Sequence, residues 1–152
     1  MAFDQPSLKG RALRLLSTRE HSRAELERKL VRFEQAPGEL TQALDELQAK
    51  GFISEQRVVE SVLHRRAAKL GAARIRQELQ DKGLDRALVE QALAGLKDSE
   101  LVRAREVWCR KYDAAPANPA ERARQQRFLL TRGFSAEVVR QVLVGAGAQD
   151  DE

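Results

Sequence analysis

Residues 72–85 read AARIRQELQDKGLD and combine a helical spacing of apolar side chains with a stop signal. Ala72, Ile75 and Leu79 fall on one face of an α-helix, because residues three and four positions apart lie on the same side. Gly83 follows at the position where a left-handed residue ends a helix. The stretch therefore predicts a short amphipathic helix that ends at Gly83.

Related patterns occur on both sides of this stretch, at a spacing of about 50 residues. Residues 127–135 read RFLLTRGFS and place Gly133 at the position of Gly83, with a serine as the N-cap of the next helix. Residues 24–30 read AELERKL and repeat the two apolar positions of the central helix. Three copies of one unit are therefore predicted to fill the chain.

The pattern predicts an all-α fold, because no stretch alternates apolar and polar residues over the length of a strand. The predicted helices are short and need neighbours for stability, so we expect three tandem three-helix repeats in an elongated, curved stack. The predicted divisions are a flexible arm at 1–7, repeats at 8–53, 54–97 and 98–147, and an acidic tail at 148–152.

Several helix ends can be predicted from capping residues. Ser22 and Glu25 have the spacing of a capping box, in which each residue bonds the backbone N–H of the other. The first helix of the second repeat is predicted to run from Ser54 to Gly71. The last helix is predicted to run from Ser135 to about position 144, with the following residues frayed.

The chain of 152 residues is basic, with a formal net charge of +4, and only 5% of its residues are aromatic. A basic chain favours a polyanion or an acidic protein surface as its partner. The basic residues concentrate at 65–76, 103–111 and 122–132. We predict a positive stripe on the second and third repeats, and solvated helix faces are an equally weighted alternative.

Other classes of protein find little support in the sequence. The single cysteine, Cys109, excludes an internal disulfide, and no secretory signal or membrane-spanning segment is recognised. His21 and His64 lie in different repeats without further ligands at metal-binding spacing. No glycine-rich loop of the phosphate-binding type is present in the sequence. We expect a cytoplasmic protein that is not an enzyme, with no cofactor, metal or membrane partner.

Arg66 falls on the apolar stripe of its predicted helix and therefore needs a carboxylate. Glu78 or Asp81 is the candidate, and a structural ion pair is favoured over a ligand contact. Arginine binds phosphate and carboxylate equally well, so the basic residues leave DNA and an acidic protein open as partners. The candidates for lining a groove between helices are Arg65, Lys69, Arg74, Arg76, Lys82, Arg122, Arg124, Arg127 and Arg132.

Three segments resemble the RecX family of regulators of the RecA recombinase, over nearly the whole chain. The opening segment carries RALRLL (11–16), REHS (19–22) and ELERKL (25–30), the central one GAARIRQEL (71–79) and KG (82–83), and the last one QRFLL (126–130) and RGF (132–134).

The resemblance implies tandem three-helix repeats, no catalysis and a RecA filament as partner. Members of the family bind along the groove of RecA assembled on DNA, inhibit its recombinase and ATPase activities and limit filament growth. The resemblance thus implies a regulator of recombination, DNA repair and the SOS response that meets DNA within the filament. We expect this chain to be a monomer. The alternative is a stand-alone DNA-binding helical module that competes for DNA, because three-helix units resemble helix-turn-helix domains.

Overall fold

The computed structural model describes residues 5–149, and all regular secondary structure in that range is helical. The predicted all-α fold is confirmed. Short 3₁₀ turns lie at Val31–Phe33 and Lys97–Ser99. The α-helices are α1 (Leu8–Thr18), α2 (Arg23–Leu30), α3 (Glu39–Ala49), α4 (Glu55–Arg66), α5 (Ala72–Asp81), α6 (Arg86–Ala94), α7 (Glu100–Lys111), α8 (Pro119–Thr131) and α9 (Ala136–Gln149).

The predicted terminal segments lie partly outside the described residues. Of the arm predicted at 1–7, residues 5–7 are described, and Ser7 accepts a hydrogen bond from Gly10 N–H as the N-cap of α1 at 2.9 Å. Of the tail predicted at 148–152, positions 148 and 149 belong to α9, and residues 150–152 lie outside the described range.

The predicted caps are present because their side chains satisfy backbone groups that a helix end leaves unpaired. The hydroxyl of Ser22 accepts the N–H of Glu25 at 3.1 Å, and the Glu25 carboxylate accepts the N–H of Ser22 at 3.0 Å. Asp85 and Ser135 accept first-turn N–H groups of α6 and α9 at 3.3 and 3.2 Å. These local signals fix where the helices begin.

Each group of three helices encloses a core of its own. The members of each cluster come from one repeat, so the repeats are separate packing units that follow one another along the chain. The central side chains, all at most 1% exposed, are Leu26, Leu44 and Leu47 in the first repeat, Val62, Ile75 and Leu79 in the second, and Ala104, Leu129 and Leu143 in the third.

Two predicted helix ends are wrong. α4 ends at Arg66 and not at Gly71, because the carbonyls of Ala67 and Leu70 accept hydrogen bonds from Arg103 of the third repeat. α9 continues to Gln149 instead of ending near 144. Buried side chains at 142, 143 and 146 belong to the third core, so packing there outweighs the low helix propensity of the nearby glycines.

Hydrogen bonds between repeats join the first to the second and the second to the third. They establish the order of the stack, whereas its elongation and curvature stay a prediction. Within residues 5–149, no helix has both the length and the apolar character needed to cross a bilayer.

Candidate interaction surface

The first two repeats meet where the N-terminus of α2 faces the C-terminus of α5. The hydroxyl of Ser22, the N-cap of α2, donates to the Lys82 carbonyl at 2.6 Å while accepting the Glu25 N–H. Arg28 donates to the carbonyl of Asp81 at 2.7 Å. The cap of one helix thus also satisfies the carbonyl end of the other.

A buried carboxylate holds this first joint together. Glu25 is 9% exposed and lies 2.8 Å from Arg19 and 3.3 Å from the Lys82 ammonium group. Burial alone would raise the pKa of Glu25, but the hydrogen bonds from Arg19 and from the Ser22 N–H, with the charge of Lys82, lower it to about 2. The carboxylate is therefore charged at neutral pH and bonded to both repeats.

The second and third repeats meet with the same polarity, through the N-terminus of α5 and the C-terminus of α8. The N–H of Gly71 donates to the Arg132 carbonyl at 2.8 Å, and the N–H of Ala73 donates to the Gly133 carbonyl at 3.2 Å. Glu100 of α7 accepts the N–H of Ala72 at 3.1 Å. The third repeat thus satisfies three of the N–H groups that the N-terminus of α5 leaves unpaired, those of Gly71, Ala72 and Ala73.

Close backbone approach explains two glycines at this second joint. A Cβ on Gly71 would collide with the carbonyl of Gly133, and a Cβ on Gly133 would lie 2.5 Å from the backbone nitrogen of Arg74. Gly133 also has φ +92°, in the left-handed region, as Gly83 has φ +69° at the end of α5. Both glycines therefore end a helix, as the sequence predicts. Both also let two repeats approach, since a Cβ on Gly83 would lie 2.7 Å from the Cβ of Ala24 in the first repeat.

Arg103 makes further hydrogen bonds across this joint. The sequence analysis does not single it out. Its side chain is buried on α7, and burial lowers the pKa of the guanidinium from its usual value, with Glu100 opposing the shift. A charged residue four positions before the buried Val107 was the available signal. Its guanidinium donates to the carbonyls of Ala67, Leu70 and Leu96 and to the hydroxyl of Ser99, at 2.8–3.3 Å.

The two joints place α8, α5 and α2 end to end. At each joint the carbonyl end of one helix faces the amide end of the next, so the partial charges of the helix dipoles attract. Because backbone and buried groups make these contacts, we expect the three repeats to move as one body rather than as beads on a flexible linker.

Four of the cations proposed as groove-lining residues have partners inside the chain. Arg74 donates to the Thr131 carbonyl at 2.8 Å, and Arg132 lies 3.8 Å from the ring centroid of Phe128. Arg76 bonds both carboxylate oxygens of Glu90, at 3.0 and 3.2 Å. Lys82, as described above, faces Glu25. Reversing these charges would therefore disturb contacts within the fold as well as any partner-binding surface to which they belong.

The other five proposed cations point to solvent and are exposed. Within residues 5–149 their side chains make no hydrogen bond or ion pair. On α8, Arg124 and Arg127 lie about 60° apart on the side away from the buried Leu129, whereas Arg122 lies about 140° from Arg127. The five are Arg65 on α4, Lys69 in the turn after it, and Arg122, Arg124 and Arg127 on α8.

Arg66 forms an ion pair with Glu78, one of the two carboxylates that the sequence analysis offered as its partner. Its guanidinium bonds one carboxylate oxygen of Glu78 at 3.2 and 3.3 Å. The arginine side chain is 41% exposed, so it lies at the margin of the second core and not within it. An ion pair this exposed contributes about 1 kcal/mol or less.

A further cationic surface lies in the first repeat, where the sequence analysis did not place one. A cavity of about 910 Å³ opens beside α1, the last turn of α2 and the turn Val31–Phe33. Among the described residues that line it, none is acidic. Its cations are Arg11, Arg14, Arg28, Lys29 and Arg32.

Among residues 5–149, no three histidine, cysteine, aspartate or glutamate side chains come together in a way that could hold an ion.

These features define an all-helical protein of three tandem three-helix domains that are locked end to end and carry outward cations. Family models agree with this architecture. They are described as the first, second and third three-helix domains of RecX, and they match residues 9–47, 54–93 and 98–143 respectively. The chain belongs to the RecX family.

Individual relatives extend over nearly the full chain. A protein named Regulatory protein RecX from Leptothrix cholodnii is 54% identical over 153 aligned residues, covering 99% of this chain and 98% of the relative. One of the same name from Pseudomonas entomophila is 45% identical, covering 91% of both. A crystal structure of RecX from Lactobacillus salivarius has a TM-score of 0.70 at 22% identity, covering 93% of this chain and 95% of that one. This structural likeness concerns the fold.

Proposed function

We propose that this protein binds in the groove of the RecA–DNA filament and inhibits recombinase and ATPase activity by limiting filament growth. It would thereby modulate recombination, DNA repair and the SOS response. The proposal has the protein act as a cytoplasmic monomer, without catalysis of its own, and meet DNA within the filament.

The observation that carries the proposal is the end-to-end locking of three family domains. A body of three joined repeats is suited to contacting several protomers of a helical polymer at once, because no entropy is lost in ordering linkers. The outward cations Arg65, Lys69, Arg124 and Arg127 provide charges for acidic or phosphate groups in such a groove. Binding across protomers would hinder addition of further subunits.

A titration of RecA-catalysed, DNA-dependent ATP hydrolysis tests the proposal. We expect inhibition at ratios of protein to DNA too low to cover the DNA. The double variant Arg124→Glu/Arg127→Glu should be about tenfold less potent, because reversing complementary charges weakens association. The matched control Arg86→Glu/Lys97→Glu reverses two exposed charges in the second repeat and should retain full potency. Equal potency of both variants would reject the assigned surface.

The second candidate is a stand-alone DNA-binding module that competes for DNA, and the five exposed cations without a described ion pair favour it. This reading predicts strong binding to naked duplex, with an affinity that falls linearly with salt on logarithmic axes. It also predicts inhibition of ATP hydrolysis only when the DNA is saturated. Inhibition at lower ratios, with weak binding to naked DNA at the same salt, would eliminate this candidate.

A further inference from the structure

We propose that the cationic cavity of the first repeat, hereafter the α1–α2 groove, binds an acidic peptide segment that carries a bulky apolar residue. The inference goes beyond the proposed function, because it assigns a ligand class to a surface away from the cations of the second and third repeats. At about 910 Å³, the groove lies within the size range of ordinary ligand sites.

Among residues 5–149, the positive charges of the groove form no ion pair with a carboxylate, unlike the neighbouring cations. Of the other cations on α1, α2 and the connection between them, Arg19 lies 2.8 Å from Glu25 and Arg23 lies 2.7 Å from Asp45. Lys9 is paired with Glu46. The ion pairs of residues 5–149 include none of the five groove cations. Among the described residues of α1, α2 and the connection between them, the cations outside the groove are therefore paired with carboxylates and those inside it are not.

The groove cations that form hydrogen bonds do so with groups other than carboxylates. Arg11 and Arg28 donate to uncharged oxygens, the Gln5 side chain at 3.2 Å and the Asp81 carbonyl at 2.7 Å. The Lys29 ammonium lies 3.1 Å from a ring nitrogen of His21. These bonds hold the side chains in place without cancelling their charge, so like charges repel across the groove and a bound anion would relieve that repulsion.

The floor of the groove is apolar, which favours a peptide over a nucleic-acid backbone. Leu15, Leu30 and Pro6 line it. A phosphate backbone would satisfy the cations and leave this floor in contact with water. A peptide with carboxylates on both sides of a leucine or phenylalanine would pair with the cations and also cover the apolar floor. Burying such an apolar side chain is favourable.

The aromatic ring of the groove is poorly placed to stack a base. The guanidinium carbons of Arg11 and Arg32 lie 3.7 and 4.7 Å from the centroid of the Phe33 ring. A nucleobase stacking on Phe33 would have to displace at least one guanidinium and lose its cation–π contact. The observations together therefore favour an acidic protein segment as the occupant.

The test is fluorescence anisotropy of the full chain with a labelled peptide in which a Leu-Phe pair lies between two runs of glutamate. We expect saturable binding at near-physiological salt. The double variant Arg14→Glu/Arg32→Glu should bind at least about tenfold more weakly, since both residues are exposed groove cations. The Arg86→Glu/Lys97→Glu variant should bind normally, and circular dichroism should show both variants folded.

Two further probes separate the alternatives. A peptide with alanine in place of Leu-Phe should bind about tenfold more weakly, because the apolar floor then stays uncovered. A thymidine oligonucleotide of equal charge should also bind more weakly than the parent peptide. Tighter binding of the oligonucleotide, indifference to the alanine change, or no peptide binding at all would each overturn the proposal. Since no probe contains the recombinase, the outcome is independent of the filament proposal.

Discussion

Replacing Glu25 with glutamine perturbs the joint between the first two repeats while keeping the shape of the side chain. The native carboxylate accepts hydrogen bonds from Arg19 and from the Ser22 N–H and faces the Lys82 ammonium at 3.3 Å. Glutamine can accept fewer bonds and carries no charge. The substitution therefore weakens both the cap of α2 and its link to α5.

The shift in the pKa of Glu25 gives the contribution of its carboxylate to the free energy of unfolding. In the folded protein its pKa falls from 4.5 to about 2, and each pKa unit corresponds to about 1.4 kcal/mol. The ionised carboxylate therefore contributes about 3 kcal/mol to the free energy of unfolding. Because the folded pKa is depressed, this stability is fully present above pH 4.5 and is lost as the pH falls towards about 2.

Urea unfolding followed by circular dichroism, at neutral pH and near pH 3, measures this contribution. The Glu25→Gln variant should lose about 3 kcal/mol at neutral pH and roughly half of that or less near pH 3. Glu90→Gln, which removes an exposed carboxylate paired with Arg76, is the matched control and should have a much smaller effect. An equal loss for Glu25→Gln at both pH values would refute the electrostatic account, and a loss below about 0.5 kcal/mol would refute the joint itself.

Two other substitutions test the joint between the second and third repeats. Gly71→Ala should lower the free energy of unfolding by about 1–3 kcal/mol, because the new Cβ meets the backbone carbonyl of Gly133, which cannot yield. Gly147→Ala on α9, where a Cβ meets nothing within 4 Å, should be neutral or stabilising. Equal effects of the two substitutions in urea unfolding would contradict the close approach. Arg103→Met should cost about 2–4 kcal/mol, because it leaves partly buried carbonyls unpaired. Arg103→Lys should not restore stability, since an ammonium group cannot span the acceptors of a guanidinium. A lysine variant as stable in urea as the native chain would disprove this role.

Short-range features of the fold were predictable because their causes lie within a few residues. The capping box of Ser22 and Glu25 spans three positions, and the left-handed ends at Gly83 and Gly133 follow from residue type. The recurrence of one pattern at a fixed spacing predicts the repeat. None of these inferences required knowledge of which helices touch.

Helix lengths were less predictable because partners far along the chain decide them. α4 ends early where Arg103, more than thirty residues later, bonds the carbonyls of Ala67 and Leu70 just beyond the last helical residue. α9 runs through two glycines because its side chains complete the third core. Propensity is worth about 1 kcal/mol at such positions, which is less than the burial of one large apolar side chain.

The surface cations also show which features the sequence predicts and which depend on distant residues. Composition and spacing identify which residues are cationic, but the charge of a cation is fully available to a partner only if no carboxylate of the chain already neutralises it. Lys82 and Arg124 look equivalent in the sequence. Lys82 faces a carboxylate from the preceding repeat, whereas Arg124 is exposed on α8.

The sequence by itself determined the helical repeat, the caps and the basic character of this protein, because these depend on residue type and near neighbours. Only the tertiary structure decided how the repeats lock end to end, which cations are held inside, and that Arg11 and Arg32 converge on Phe33 in the α1–α2 groove. The physical reason is that charge pairing and close backbone approach depend on distances between residues that lie far apart along the chain.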